Sequence, residues 1–259
     1  VISGPAARNS TRSAGNWAEA VPTACAIIPV RLASTRFPRK CLAADTGLPM
    51  VVHVCRQAEA ATSIDRVIVA ADDMEIVDAV QQHGFEAVMT SVDHPNGSSR
   101  VAEVARSMED DFIINVQGDE PELDPSDIDA ALEVLARHAD CQVSTLATPF
   151  ADPGDLDDPN LVKVVHEHEH ARDFSRIAEP GTDPMRHVGL YAFRRPFLDA
   201  YVNMEPTPRE LDERLEQLRI IEHGHPIAVA VVPVGRHGID TPEQYEAFVA
   251  RWRSKSDPG

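Results

Sequence analysis

Ala24-Cys25-Ala26-Ile27-Ile28-Pro29-Val30 runs directly into Arg31-Leu32-Ala33-Ser34-Thr35-Arg36-Phe37-Pro38-Arg39-Lys40, and the reading of the fold turns on this junction. Seven almost wholly apolar residues suit a central parallel strand covered on both faces. The next ten replace them with three arginines, one lysine and two hydroxyls. Fixed guanidinium forks, a point-charge ammonium and short hydroxyl donors are what a polyphosphate requires. The glycine spacing of a Walker loop is absent. A solvated basic loop is the alternative, but such a concentration of cations is unusual in a chain of net charge -18.

Working outward, further buried strands are expected at Arg66–Ala71, Glu86–Thr90 and Asp111–Gln117. Helical spacing lies between them at Pro49–Ala61, Met74–His83 (stopped by Gly84) and Ser98–Met108. Pro125 opens a helix to about Arg137 with Asp124 as its N-cap. Strand–helix alternation of this kind predicts an α/β doubly wound, mostly parallel sheet, whose ligands bind beyond the carboxyl ends of the strands. The second half reads differently. Strands are expected at Gln142–Pro149, Leu161–Val165, His187–Phe193 and Ile227–Val232, partly antiparallel. One helical stretch is expected over Pro208–Gly224, and a last helix to about Trp252.

Composition narrows the function. The 259 residues are 43% hydrophobic and 25% charged, ordinary for a soluble globular protein. The acidic balance argues against general nucleic-acid binding. No apolar run approaches the roughly 20 residues of a membrane span, and residues 1–23 hold no signal-peptide core. They read as a disordered extension, residues 24–253 as the domain, residues 254–259 as a tail, and the protein as cytoplasmic. Cys25, Cys41, Cys55 and Cys141 show no CxxC spacing and read as structural thiols.

Two acidic turns stand out. Asn115-Val116-Gln117-Gly118-Asp119-Glu120-Pro121 puts a carboxylate at a strand's end, where it can reach a metal held by substrate phosphates. Gly238-Ile239-Asp240-Thr241-Pro242 puts another just before a helix. Taken alone, either could be a turn or capping aspartate. His166-Glu167-His168-Glu169-His170 reads as a polar hairpin turn in preference to a metal cluster, and His223-Gly224-His225 as a helix end.

In order along the chain, these pieces resemble the CMP-Kdo synthetase (3-deoxy-manno-octulosonate cytidylyltransferase) family from about Cys25 to Phe248. The resemblance rests on the Arg31–Lys40 loop, Pro49–Val54, Asp93–Arg100, Asn115–Pro121, Asp158–Val165, Phe174–Arg176, Arg186–Tyr191, Leu215–Arg219 and Gly238–Pro242. It implies a Rossmann-like nucleotidyltransferase fold with a small mixed sugar-binding and dimerisation part at about 142–205. The implied reaction transfers CMP from CTP to a 3-deoxy sugar acid, Kdo, with Mg2+, in a homodimer. By resemblance, Arg31, Ser34, Arg36 and Lys40 hold the CTP phosphates. Asn96, Ser98, Arg100 and Gln117 line the nucleotide pocket, and Asp119 and Asp240 bind Mg2+. Arg176, His187, Tyr191, Glu216 and Gln217 face the sugar acid.

The chain departs from the family in two places. Arg39 stands where the family usually has Gly, where it could narrow the phosphate approach or add a contact. The loop between Arg176 and Arg186 is shorter than usual. A shorter loop covers the sugar less and leaves open an 8-amino Kdo or sialic-type acid, or a non-catalytic nucleotide-binding protein on the same scaffold.

Overall fold

The computed structural model describes residues 22–233 and 238–256. Most of the expected N-terminal extension, and residues 257–259 of the expected tail, lie outside the described residues. The tail expected from residue 254 starts too early, because the last helix continues to Ser256.

The first half follows the expected alternation. Strands β1 (Ala24–Val30), β2 (Arg66–Ala71), β3 (Glu86–Met89) and β4 (Phe112–Asn115) are separated by helices α1 (Met50–Ala60), α2 (Met74–Gln82) and α3 (Gly97–Ala105). All pairings among these four strands are parallel. Strand β1 is buried on both faces: Ala24, Ala26 and Ile28 enter one core, while Cys25 and Ile27 enter the other. The four thiols are free and buried, and burial is the leading cause that raises each pKa to about 11 or 12.

Helix α4 (Pro125–Arg137) starts on the Asp124 cap and leads to β5 (Val143–Thr148). A hairpin of β6 (Lys163–Glu167) and β7 (His170–Ser175) follows, then β8 (Met185–Arg194) and α5 (Arg195–Val202). The chain ends with α6 (Pro208–Glu213), α7 (Gln217–Glu222), β9 (Ile227–Val231) and α8 (Pro242–Ser256). The nine strands of the described residues form one sheet in the order β3-β2-β1-β4-β8-β5-β9-β7-β6. Residues 142–205 therefore extend the central sheet rather than build a second one. Strand β8 is inserted antiparallel between β4 and β5.

Two local expectations change. The single helix over Pro208–Gly224 is two, because Arg214 adopts a left-handed conformation with φ 55°. The break turns buried Leu215 into the core, and Arg219 reaches back to Glu210 through two bonds of 2.6 and 2.7 Å. Strand β7 is also new: its sequence, HARDFS, buries only Phe174 and lacks a strand-like apolar pattern. The expected hairpin turn is present, with His168 at φ 50° and Glu169 at φ 61°.

Candidate active site

Sheet order reverses beside β1, since β2 and β3 lie on one side and β4 on the other. Ligands of open α/β sheets bind at such a switch point. A cavity of about 340 Å³ opens there, walled by the loop after β1, the turn after β4, the start of α3 and Asp240.

The loop after β1 is pinned by Asp72, whose carboxylate accepts the Leu32 backbone N–H at 2.9 Å. It ends in a 3-10 turn, Lys40–Leu42, that aims Lys40 inward. The Lys40 ammonium uses three donors: Asp119 Oδ2 at 2.8 Å, Asp240 Oδ1 at 2.9 Å and the Ile239 carbonyl at 2.9 Å. Arg36 holds the other Asp240 oxygen at 2.8 Å. A backbone bond from Ile239 N–H to the Asp119 carbonyl, 2.8 Å, ties the two acidic turns together. Burial pulls the Lys40 ammonium towards deprotonation, yet Asp119 and Asp240 outweigh it and its pKa is raised. Gly118 is required by close approach: a Cβ there would meet the Val30 side chain and sit 2.9 Å from the Pro29 carbonyl oxygen. With no side chain, the β4 turn can press against the end of β1 and present Asp119.

Asn96, the cap of α3, accepts the Ser99 N–H at 2.9 Å and lines the cavity with Arg100 and Gln117. Arg100 is buried and held by Thr90 and the Ser91 carbonyl. Gln117 donates to the Gly189 carbonyl at 3.2 Å. Glu216 closes the far wall, its carboxylate accepting the Ser98 hydroxyl at 3.0 Å. The cavity thus gathers Arg31, Ser34, Arg36, Lys40, Asn96, Arg100, Gln117, Asp119, Glu216 and Asp240.

The remaining candidates lie outside its lining. Ser98 faces Glu216 from behind. Arg176 is spent as a bracket, donating to the carbonyls of Glu213 at 2.6 Å and Pro159 at 3.0 Å. His187 bonds Thr145 at 2.8 Å, and burial lowers its pKa to about 3, so the ring is neutral. Tyr191 packs on His187, and Gln217 is buried with Nε2 unpartnered. Arg39 also departs from expectation. It takes the left-handed conformation at φ 59°, which explains a glycine preference there, and its guanidinium pairs with Glu75, outside the cavity lining. The sequence reading gave Glu120 no role. Burial, with Asp119 next in weight, pushes its carboxyl up to about 8.

A cytidylyltransferase family model matches residues 25–227. The chain belongs to the cytidylyltransferase family. Among relatives of this cytidylyltransferase is a protein of Azorhizobium caulinodans named 3-deoxy-manno-octulosonate cytidylyltransferase. It is 46% identical over 231 residues, covering 85% of this chain and 92% of that protein. A solved CMP:2-keto-3-deoxy-manno-octonic acid synthetase in complex with CTP superposes with a TM-score of 0.86. It is 34% identical and covers 90% of this chain and 99% of its own. The inositol-1-phosphate CTP transferase of T. maritima, 14% identical with a TM-score of 0.63 over 92% and 98% of the chains, shares the fold.

Two carboxylates that already grip one cation, the Lys40 ammonium, are hard oxygen donors of the kind Mg2+ takes alongside phosphate oxygens. The residues present therefore fit that ion.

Proposed function

We propose that this protein is a 3-deoxy-manno-octulosonate cytidylyltransferase, transferring CMP from CTP to the anomeric hydroxyl of Kdo with release of pyrophosphate. The observation that carries this is the meeting of Lys40, Asp119 and Asp240, from three separate chain segments, at the mouth of β1 and β4.

Arg31, Ser34, Arg36 and Lys40 bind the CTP phosphates, while Asn96, Arg100 and Gln117 shape the nucleotide pocket and Ser98 supports it through its bond to Glu216. Glu216 orients the sugar by accepting from its hydroxyls, with Tyr191, His187 and Gln217 supporting the wall behind it. Arg176 positions the neighbouring segment. The anomeric hydroxyl releases its proton to solvent, and its oxygen attacks the α-phosphorus in line. A new P–O bond forms, the bond to the α–β bridging oxygen breaks, and pyrophosphate leaves with the electron pair. Arg31 and Lys40 stabilise the charge that develops on it. Mg2+ held by Asp119 and Asp240, when bound, supplies Lewis-acid polarisation of the α-phosphate and acidifies the attacking hydroxyl. No protein nucleophile is needed. The setting is a cytoplasmic homodimer that activates Kdo for lipopolysaccharide synthesis.

A pyrophosphate-release screen of four NTPs against Kdo, 8-amino Kdo and sialic acid tests this. Turnover should require CTP and Kdo. Preference for another acid, or no release with any pair, overturns it.

A further inference from the structure

His138 caps the end of α4, Asp140 lies in the turn before β5, and His170 opens β7. A ring nitrogen of each histidine and a carboxylate oxygen of Asp140 lie within 4.8 Å of one another. The two rings meet edge to face, 4.6 Å between centroids. We propose that these three side chains form a binding site for a divalent transition-metal ion of the zinc class, joining the end of α4 to the β6–β7 hairpin.

Hydrogen-bond polarity is the main argument. His170 Nδ1 is 2.9 Å from the His168 carbonyl oxygen, which can only accept, so Nδ1 carries the hydrogen. In the neutral ring the lone pair is then on Nε2, and Nε2 faces Asp140 Oδ2 at 3.0 Å. Two acceptors stand opposed unless a proton or a metal ion lies between them. His138 has the same division: one nitrogen meets Glu169 Oε2 at 2.8 Å as a donor, leaving a lone pair on the other. A histidine whose second nitrogen donates to a carbonyl or carboxylate is the usual form of a metal ligand, because that bond fixes tautomer and ring orientation. Glu169 is itself held by Arg137 at 2.7 Å, which offsets the cation in the last turn of α4, and Arg172, the other arginine acting on His170, is paired with Glu167 at 2.7 Å. The negative end of the helix dipole also favours a cation here.

Two imidazoles and one carboxylate suit zinc, with water completing a tetrahedron. Zinc bonds of about 2.0–2.1 Å place ligand atoms about 3.3 Å apart. Side-chain torsions of these partly exposed groups can close that gap. The site is remote from the nucleotide cavity. Strand β5 runs parallel to β4, so the turn before β5 lies at the sheet edge opposite the loops that follow β1 and β4.

Calorimetric titration of metal-stripped full-length protein with Zn2+, in excess Mg2+, provides the test. One equivalent should bind. Affinity should fall at least about 100-fold in His138→Ala/His170→Ala and hold in Asp119→Asn/Asp240→Asn. A hundredfold excess of Zn2+ over Kd should raise the Tm of the wild type by about 5–10 °C. X-ray absorption of zinc-loaded wild type, which needs no variant, should show imidazole ligands. Absence of Zn2+ binding, binding that survives loss of both histidines, or a spectrum without imidazole overturns the proposal.

Discussion

The Ser98 hydroxyl donates to the Glu216 carboxylate at 3.0 Å, joining the first turn of α3 to the entrance of α7 across 118 residues. Burial raises the Glu216 pKa, and the Ser98 bond only partly opposes it. The charged form is therefore under-stabilised at neutral pH. Glu216→Gln should raise stability at pH 7, and the gain should shrink as the pH falls and wild-type Glu216 protonates. If Glu216 accepts sugar hydroxyls, kcat/KM for the sugar acid should fall about 10–100-fold with KM for CTP unchanged. Denaturant melts at two pH values and steady-state kinetics check both parts.

Asp119→Asn and Asp240→Asn should each lower kcat by about 10³-fold while circular dichroism stays native. Lys40→Met should also lose activity. Its loss of one ammonium opposite two aspartates should additionally leave the site more acidic and raise KM for CTP. Near-normal CMP-sugar formation by either aspartate variant would remove the metal assignment.

Gly118→Ala should damage catalysis more than overall folding. Its methyl would collide with Val30 and the Pro29 carbonyl at the end of β1. The turn must then retreat and carry Asp119 away from Lys40. An expected loss of about 10²-fold in kcat follows from displacement by an ångström. Unaltered kcat would show that the close approach is not needed.

His53 is buried between Thr46, Phe248 and Trp252. Burial, with Arg56 second, lowers its pKa to about 4. The unfolded chain takes up the proton near pH 6.5, before the folded protein does. Stability from this group is complete above about 6.5 and is lost as the pH falls towards 4, by about 3 kcal/mol. His53→Phe should flatten that part of the profile. A wild-type minus variant difference that stays constant from pH 7 to 4 would refute the assignment.

Arg39→Gly should leave kcat/KM within about twofold, since the side chain pairs with Glu75 and does not line the cavity. A larger change would place Arg39 on the phosphate path.

The fold was legible where burial is symmetric and breaks are sharp. ACAIIPV and RVIVAA can only be covered strands, and Gly84 and Asp124-Pro125 punctuate their helices by local chemistry. Strand β7 was not legible, because a polar edge strand with one buried Phe has no period to read. Nor was the break at Arg214, where tertiary packing of Leu215 and the Glu210–Arg219 pair overrides a helical pattern. The site divides in the same way. Each acidic turn alone was ambiguous, and order along the chain joined them through the family resemblance. Lys40 and Asp240 stand 200 residues apart, and only folding shows that one ammonium bridges the pair. Arg176 looked like a ligand-binding cation because sequence cannot reveal that its guanidinium is already engaged by carbonyls.

The placement of β8 between β4 and β5 has a consequence for biogenesis. During translation, β4 leaves the ribosome with one open flank, and its antiparallel neighbour arrives only when residues 185–194 have been made. At 5–20 residues per second the wait is roughly 4–16 s. Throughout it, the apolar FIIN segment offers unsatisfied amides to other nascent chains. Chaperone capture of ribosome-bound chains should therefore peak between these two lengths, and slow synthesis there should lower yield without touching the finished enzyme.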